Sequence, residues 1–173
     1  YTGKTTVTSA TLVINSLNSV VGGVTSSSLG APTTVANGTI SLGSITASTL
    51  RYVGTGETTD RVIDLAGTNV GVTLEQAGTG LLKFTSDLTT SGNGNKTLTL
   101  RGATAGTGEI SGIIADSTGT TGLTKTDSGT WTLSGLNTYT GVTSITGSVL
   151  EVKPLADGGD INGSGIAGSS NAA

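Results

Sequence analysis

The side chains that could perform chemistry are few and widely spaced. The 173-residue chain has no His and no Cys, so a Ser-His triad, an imidazole base, a thiolate nucleophile and a His-ligated zinc are all excluded. Its carboxylates are Glu57, Asp60, Asp64, Glu75, Asp87, Glu109, Asp116, Asp127, Glu151, Asp157 and Asp160. Cleavage of a glycosidic bond needs two acids flanking one bond, and no segment here carries an Asp-x-Asp or Glu-x-Glu pair. No catalytic residue is assigned and no cofactor is implied. Acids from different strands could still converge in space, which keeps a polysaccharide-acting enzyme as a remote alternative.

Two clusters invite a binding reading. Glu57, Asp60, Arg61 and Asp64 form the densest group of charges. They fit either a sugar- or cation-binding loop or a solvated loop opening a strand, and the solvated loop is the preferred reading. Asp157, Asp160 and Asn162 stand among glycines and offer the oxygen ligands of a Ca²⁺ loop. They lack the repeated Gly-Gly-x-Gly-x-Asp of calcium β-rolls and serve equally well in an ordinary turn. Thr-x-Thr pairs at Thr6/Thr8, Thr97/Thr99, Thr124/Thr126 and Thr130/Thr132 could bind ice if they formed a flat array. Their irregular spacing argues for threonines on the wet side of strands.

Composition defines what must position these groups. Charged residues are 11% and aromatics 3%, both far below globular norms. There are 29 Gly, and Thr with Ser make roughly a third of the chain. Hydrophobic residues still reach 34%, too many for a disordered chain. β-Branched residues favour strands, and Gly and Asn favour tight turns. No stretch sustains helical periodicity. The core is expected to be narrow columns of short aliphatics. A formal net charge of −3 argues against nucleic acid as a partner, and no apolar run is long enough to insert in a membrane.

Strands are expected at Thr5–Thr8, Thr11–Ile14, Thr39–Leu42, Thr49–Val53, Arg61–Leu65, Val70–Glu75, Gly80–Phe84, Thr97–Arg101, Glu109–Ile114, Leu123–Thr126, Thr130–Ser134, Val142–Ile145 and Val149–Val152. Asn37-Gly38, Asn93-Gly94 and Gly106-Thr107-Gly108 mark turns between them. The chain also repeats itself. Residues 1–14, YTGKTTVTSATLVI, align without a gap on residues 139–152, YTGVTSITGSVLEV. Tyr1/Tyr139, Gly3/Gly141, Leu12/Leu150 and Ile14/Val152 coincide at an offset of 138. The reading is one repeat unit over 1–138 and the start of the next over 139–173, in a single continuous solenoid.

Residues 122–152, GLTKTDSGTWTLSGLNTYTGVTSITGSVLEV, resemble the autotransporter-associated β-strand repeat, also termed the passenger-associated transport repeat. Its Gly-Leu-Thr-Lys start, Gly-Thr-x-Thr-Leu-Ser-Gly strand, Asn-Thr-Tyr-Thr-Gly turn and Leu-x-Val end are all present. The resemblance implies an all-β, right-handed parallel β-helix, displayed outside a bacterial cell as part of a structural or adhesive fibre. At 20–25 residues per turn the chain would make roughly seven rungs. The repeat-motif residues expected to carry the structure are Tyr1, Gly3, Leu12, Ile14, Trp131, Leu133, Tyr139, Gly141, Leu150 and Val152. Trp131 could serve as the largest core anchor or as an exposed contact. The expected partners are neighbouring copies stacked end to end, with a glycan-binding surface module as the alternative.

Overall fold

The computed structural model describes residues 1–22 and 26–153. In chain order the strands are β1 (Thr5–Val7), β2 (Thr11–Ile14), β3 (Ile40–Leu42), β4 (Ser48–Tyr52), β5 (Glu57–Thr59), β6 (Ile63–Leu65) and β7 (Gly71–Gln76). There follow β8 (Gly80–Phe84), β9 (Lys96–Gly102), β10 (Gly106–Ile110), β11 (Thr121–Lys125), β12 (Thr130–Leu133), β13 (Thr143–Ile145) and β14 (Val149–Val152). One helical turn, α1 (Val35–Gly38), lies between β2 and β3. Asn37 and Gly38, expected to form a strand–strand turn, instead end this helix. The Thr34 side chain accepts from the Asn37 N–H and caps it.

Every strand-to-strand pairing in the three sheets is parallel. The sheets run β1-β3-β6, then β2-β4-β7-β9-β11-β13, then β5-β8-β10-β12-β14. From β3 to β8 consecutive strands fall on successive faces, and from β8 to β14 they alternate between the five- and six-stranded faces, each pairing with its counterpart one turn away. This is the β-solenoid expected from strands too short to bury a core alone. On the six-stranded face Thr11, Thr49, Thr73, Thr99, Thr124 and Ser144 stand in one column. Successive turns thus take 38, 24, 26, 25 and 20 residues.

Alternation decides what lies inside. Leu50, Leu74 and Leu100 stack in one inward column, and Phe84, Ile110 and Leu133 in another. All are buried in a single hydrophobic cluster. Trp131 is fully buried and is a core anchor, not an exposed contact. Its indole N–H donates to the Arg101 carbonyl at 3.0 Å. Its register neighbour toward the N-terminus is Gly108, and a Cβ on Gly108 would overlap the indole ring. The Gly-Thr-Gly at 106–108, which reads as a turn, is strand β10 for this reason: the missing side chain makes room for the ring.

Candidate functional site

The charge cluster is where sequence reasoning and structure differ most. Residues 57–59 are strand β5, at the edge of the five-stranded sheet. Beyond that edge lies the segment 17–21, held by side chains in place of a ladder. The Glu57 carboxylate accepts from the backbone N–H groups of Leu17 (2.5 Å) and Asn18 (3.0 Å). The Asp60 carboxylate accepts from those of Val20 (2.6 Å) and Val21 (2.9 Å). Two carboxylates thereby satisfy four backbone donors that no strand pairs with.

Arg61 is 1% exposed. Its Nε donates to the Asn18 carbonyl at 3.3 Å. Its Nη2 donates to Ser27 Oγ and to the carbonyls of Leu29 and Gly30 at 3.2–3.3 Å. Burial lowers the guanidinium pKa, against the raising influence of Tyr1, Asp60 and Glu57. Leu17 and Leu29 join the core cluster beside it. The 38-residue first turn is therefore closed by its own charged staple. The solvated loop expected at Asp60 and Arg61 does not describe it: Arg61 is buried, its Nε and Nη2 and the two carboxylates bond within the chain, and its Nη1 is buried without a hydrogen-bond partner among the described residues.

Asp64 lies on the third face and is 2% exposed. Ser41 Oγ, Ser91 Oγ, the Ser91 N–H and Thr89 Oγ1 donate to it at 2.6–3.0 Å, and Lys4 lies 3.8 Å away. Burial raises its pKa, but these hydrogen bonds outweigh it and hold the carboxyl below the usual aspartate value. Lys125, the lysine of the Gly-Leu-Thr-Lys motif, occupies an inward position beside Leu100. Its ammonium caps the carbonyls of Thr126 and Asp127, and burial lowers its pKa. Nothing in the periodicity signals either buried charge.

The outer faces carry ladders. Arg51, Glu75 and Arg101 align across three turns, with Arg101 Nη2 2.9 Å from Glu75. Lys83 and Glu109 pair at 2.8 Å. The threonine column on the six-stranded face was hidden in the sequence by turns of unequal length. Near its end, a cleft of about 290 Å³ is lined by Thr97, Thr120, Gly122, Thr124, Val142 and Ser144, among others.

Tyr139 is fully buried, with its hydroxyl 2.9 Å from Thr143 Oγ1, whereas Tyr1 is 70% exposed. Leu133 is buried, and Leu12 and Leu150 pack partly buried on the core. Ile14 is buried, and Val152 is half-buried at the last turn. Asp157, Asp160 and Asn162 lie outside the described residues. Among the described residues no group of three or more acids could hold a metal ion, and no helix is long and apolar enough to cross a membrane.

These features define a repetitive parallel solenoid whose buried charges stabilise its own backbone. The passenger-associated-transport-repeat family matches residues 123–152. An autotransporter adhesin, BmaC, of Brucella suis biovar 1 (strain 1330) is 39% identical over 142 residues, which is 79% of this chain and 4% of that protein. No solved structure matches the chain. The chain carries this passenger repeat and is similar over most of its length to an autotransporter adhesin, which places it at the bacterial cell surface.

Proposed function

We propose that the chain is a structural and adhesive segment of an extracellular fibre, stacked end to end with neighbouring repeats as a stalk. Its winding is right-handed, the hand that parallel crossovers favour, and the whole chain makes roughly seven turns at the length of an ordinary solenoid repeat. The observation that carries this reading is the condition of the last turn. Ile145, in the inward column after Leu100 and Lys125, is 48% exposed. The outer edges of β13 and β14 carry no paired strand among the described residues. An open ladder with a half-exposed core position is the surface that another turn covers.

Joining two units (residues 1–138 followed by 1–173) tests it by small-angle scattering. Stacking predicts a rod lengthened by about 24 Å, five rungs of about 4.8 Å. Two independently tumbling bodies would refute it. The similarity to an adhesin together with the hydroxyl-lined cleft at Thr97, Thr124 and Ser144 favours a second reading, glycan recognition on the six-stranded face. It predicts saturable binding on a glycan array that Thr124→Lys abolishes. The segment is read as non-enzymatic; turnover of any member of an acidic-glycan panel would overturn that.

A further inference from the structure

The two copies of the repeated motif have the same strands in different places. β1 and β13 span Thr5–Val7 and Thr143–Ile145, and β2 and β14 span Thr11–Ile14 and Val149–Val152. Each bound differs by the 138-residue offset. Yet β13 lies on the six-stranded face and β14 on the five-stranded face, whereas β1 lies on the three-stranded face and β2 on the six-stranded one. The first copy is displaced backward by one face of the solenoid.

The tyrosine and glycine that open the motif are engaged only in the second position, while the aliphatic residues Val7 and Ile14 are buried in the first. Tyr139 is buried and Tyr1 is 70% exposed. A Cβ at Gly141 would come within 2.5 Å of the Thr121 carbonyl and 2.6 Å of the Gly122 nitrogen, so glycine is required there. Gly3 has nothing within 4 Å of its Cβ position. The Tyr139–Thr143 hydrogen bond of 2.9 Å slackens to 3.4 Å in Tyr1–Thr5. Residues 1–14 therefore hold a sequence fitted to a site that they do not occupy here.

Resting on the stacked-repeat reading, we infer that residues 1–14 are a docking segment whose partner is the preceding copy of this repeat. They close that copy's last turn as 139–152 do here, β1 against its β11 and β2 against its β12. The structural unit is then 15–152, and the unit boundary falls within the long excursion between β2 and β3. This placement also regularises the repeat. With β1 on the six-stranded face, that face holds β1, β4, β7, β9, β11 and then β13, so 138 residues make five whole turns. With β1 where it lies here, the same offset leaves a fractional turn and would rotate each unit by one face.

The test uses two units joined as above. Thr124→Cys in the first unit is combined with Thr6→Cys in the second, the pair equivalent to the observed register neighbours Thr124 and Ser144. Register neighbours on adjacent parallel strands lie within disulfide reach. A second version carries Thr11→Cys and Thr49→Cys in the second unit, neighbours in the present arrangement. The single chain with Thr124→Cys/Ser144→Cys is the positive control. The inference predicts a near-complete 124–6 disulfide between units and little 11–49 disulfide. An 11–49 disulfide, or failure of the 124–6 pair while the control forms, overturns it. If the scattering length shows a stacked rod in that case, end-to-end stacking survives and only the seating of residues 1–14 is wrong.

Discussion

Trp131 and Gly108 should behave as one energetic unit. The indole is fully buried, donates its N–H to the Arg101 carbonyl and covers the space where a side chain on Gly108 would stand. Trp131→Ala should destabilise the chain by about 3–5 kcal/mol, the usual cost of emptying an aromatic core site. Gly108→Ala alone should cost about 1–3 kcal/mol, because the methyl group meets a ring that neighbouring turns hold in place. In the Trp131→Ala background the clash is gone, the methyl fills part of the cavity, and alanine is the better strand residue. There Gly108→Ala should be neutral or stabilising, giving a coupling of about 2 kcal/mol. Urea unfolding of the four proteins, followed by circular dichroism, measures this cycle. Additivity within about 0.5 kcal/mol would mean that Gly108 is a glycine for some reason other than the ring.

Three further outcomes follow from the buried charges. Arg61→Ala should raise hydrogen exchange at residues 17–21 and 27–31 by at least tenfold while β7 to β12 stay protected, since contacts in a solenoid are between neighbouring turns; uniform loss of protection would refute a local staple. Asp64 has a folded pKa below its unfolded value of about 3.9, so its contribution is present above that pH and is lost as pH falls through the folded pKa. The urea midpoint should accordingly fall below about pH 4, and Asp64→Asn should flatten that dependence; an equal acid response in the variant would sink the assignment. Glu57→Ala leaves two backbone N–H groups without their acceptor and should destabilise the first turn by about 1–3 kcal/mol, read by exchange at Leu17 and Asn18.

Much of the fold was legible because alternation and turn residues are local signals. Thr11–Ile14, Gly80–Phe84 and Val149–Val152 have the bounds read from sequence. The strand β5 was missed because Glu57 and Asp60 look solvated; their carboxylates are engaged by a segment some 40 residues away, and no local pattern encodes that. β10 was displaced because Gly108 reads as a turn until Trp131 is placed beside it. The outward threonine column was judged irregular since unequal turns conceal it, although each member sits beside the next. Arg61 and Lys125 occupy positions that composition alone assigns to the surface; their carbonyl partners come from the folded loops.

The central claim is a parallel solenoid that continues from one repeat to the next. Electron microscopy of the natural array, taken to a resolution that separates rungs, tests it most directly. The account predicts a thin fibre with rungs about 4.8 Å apart and a longer period of about 24 Å, five rungs per 138-residue unit. Compact beads joined by linkers, with no axial 4.8 Å spacing across the junctions, would contradict it.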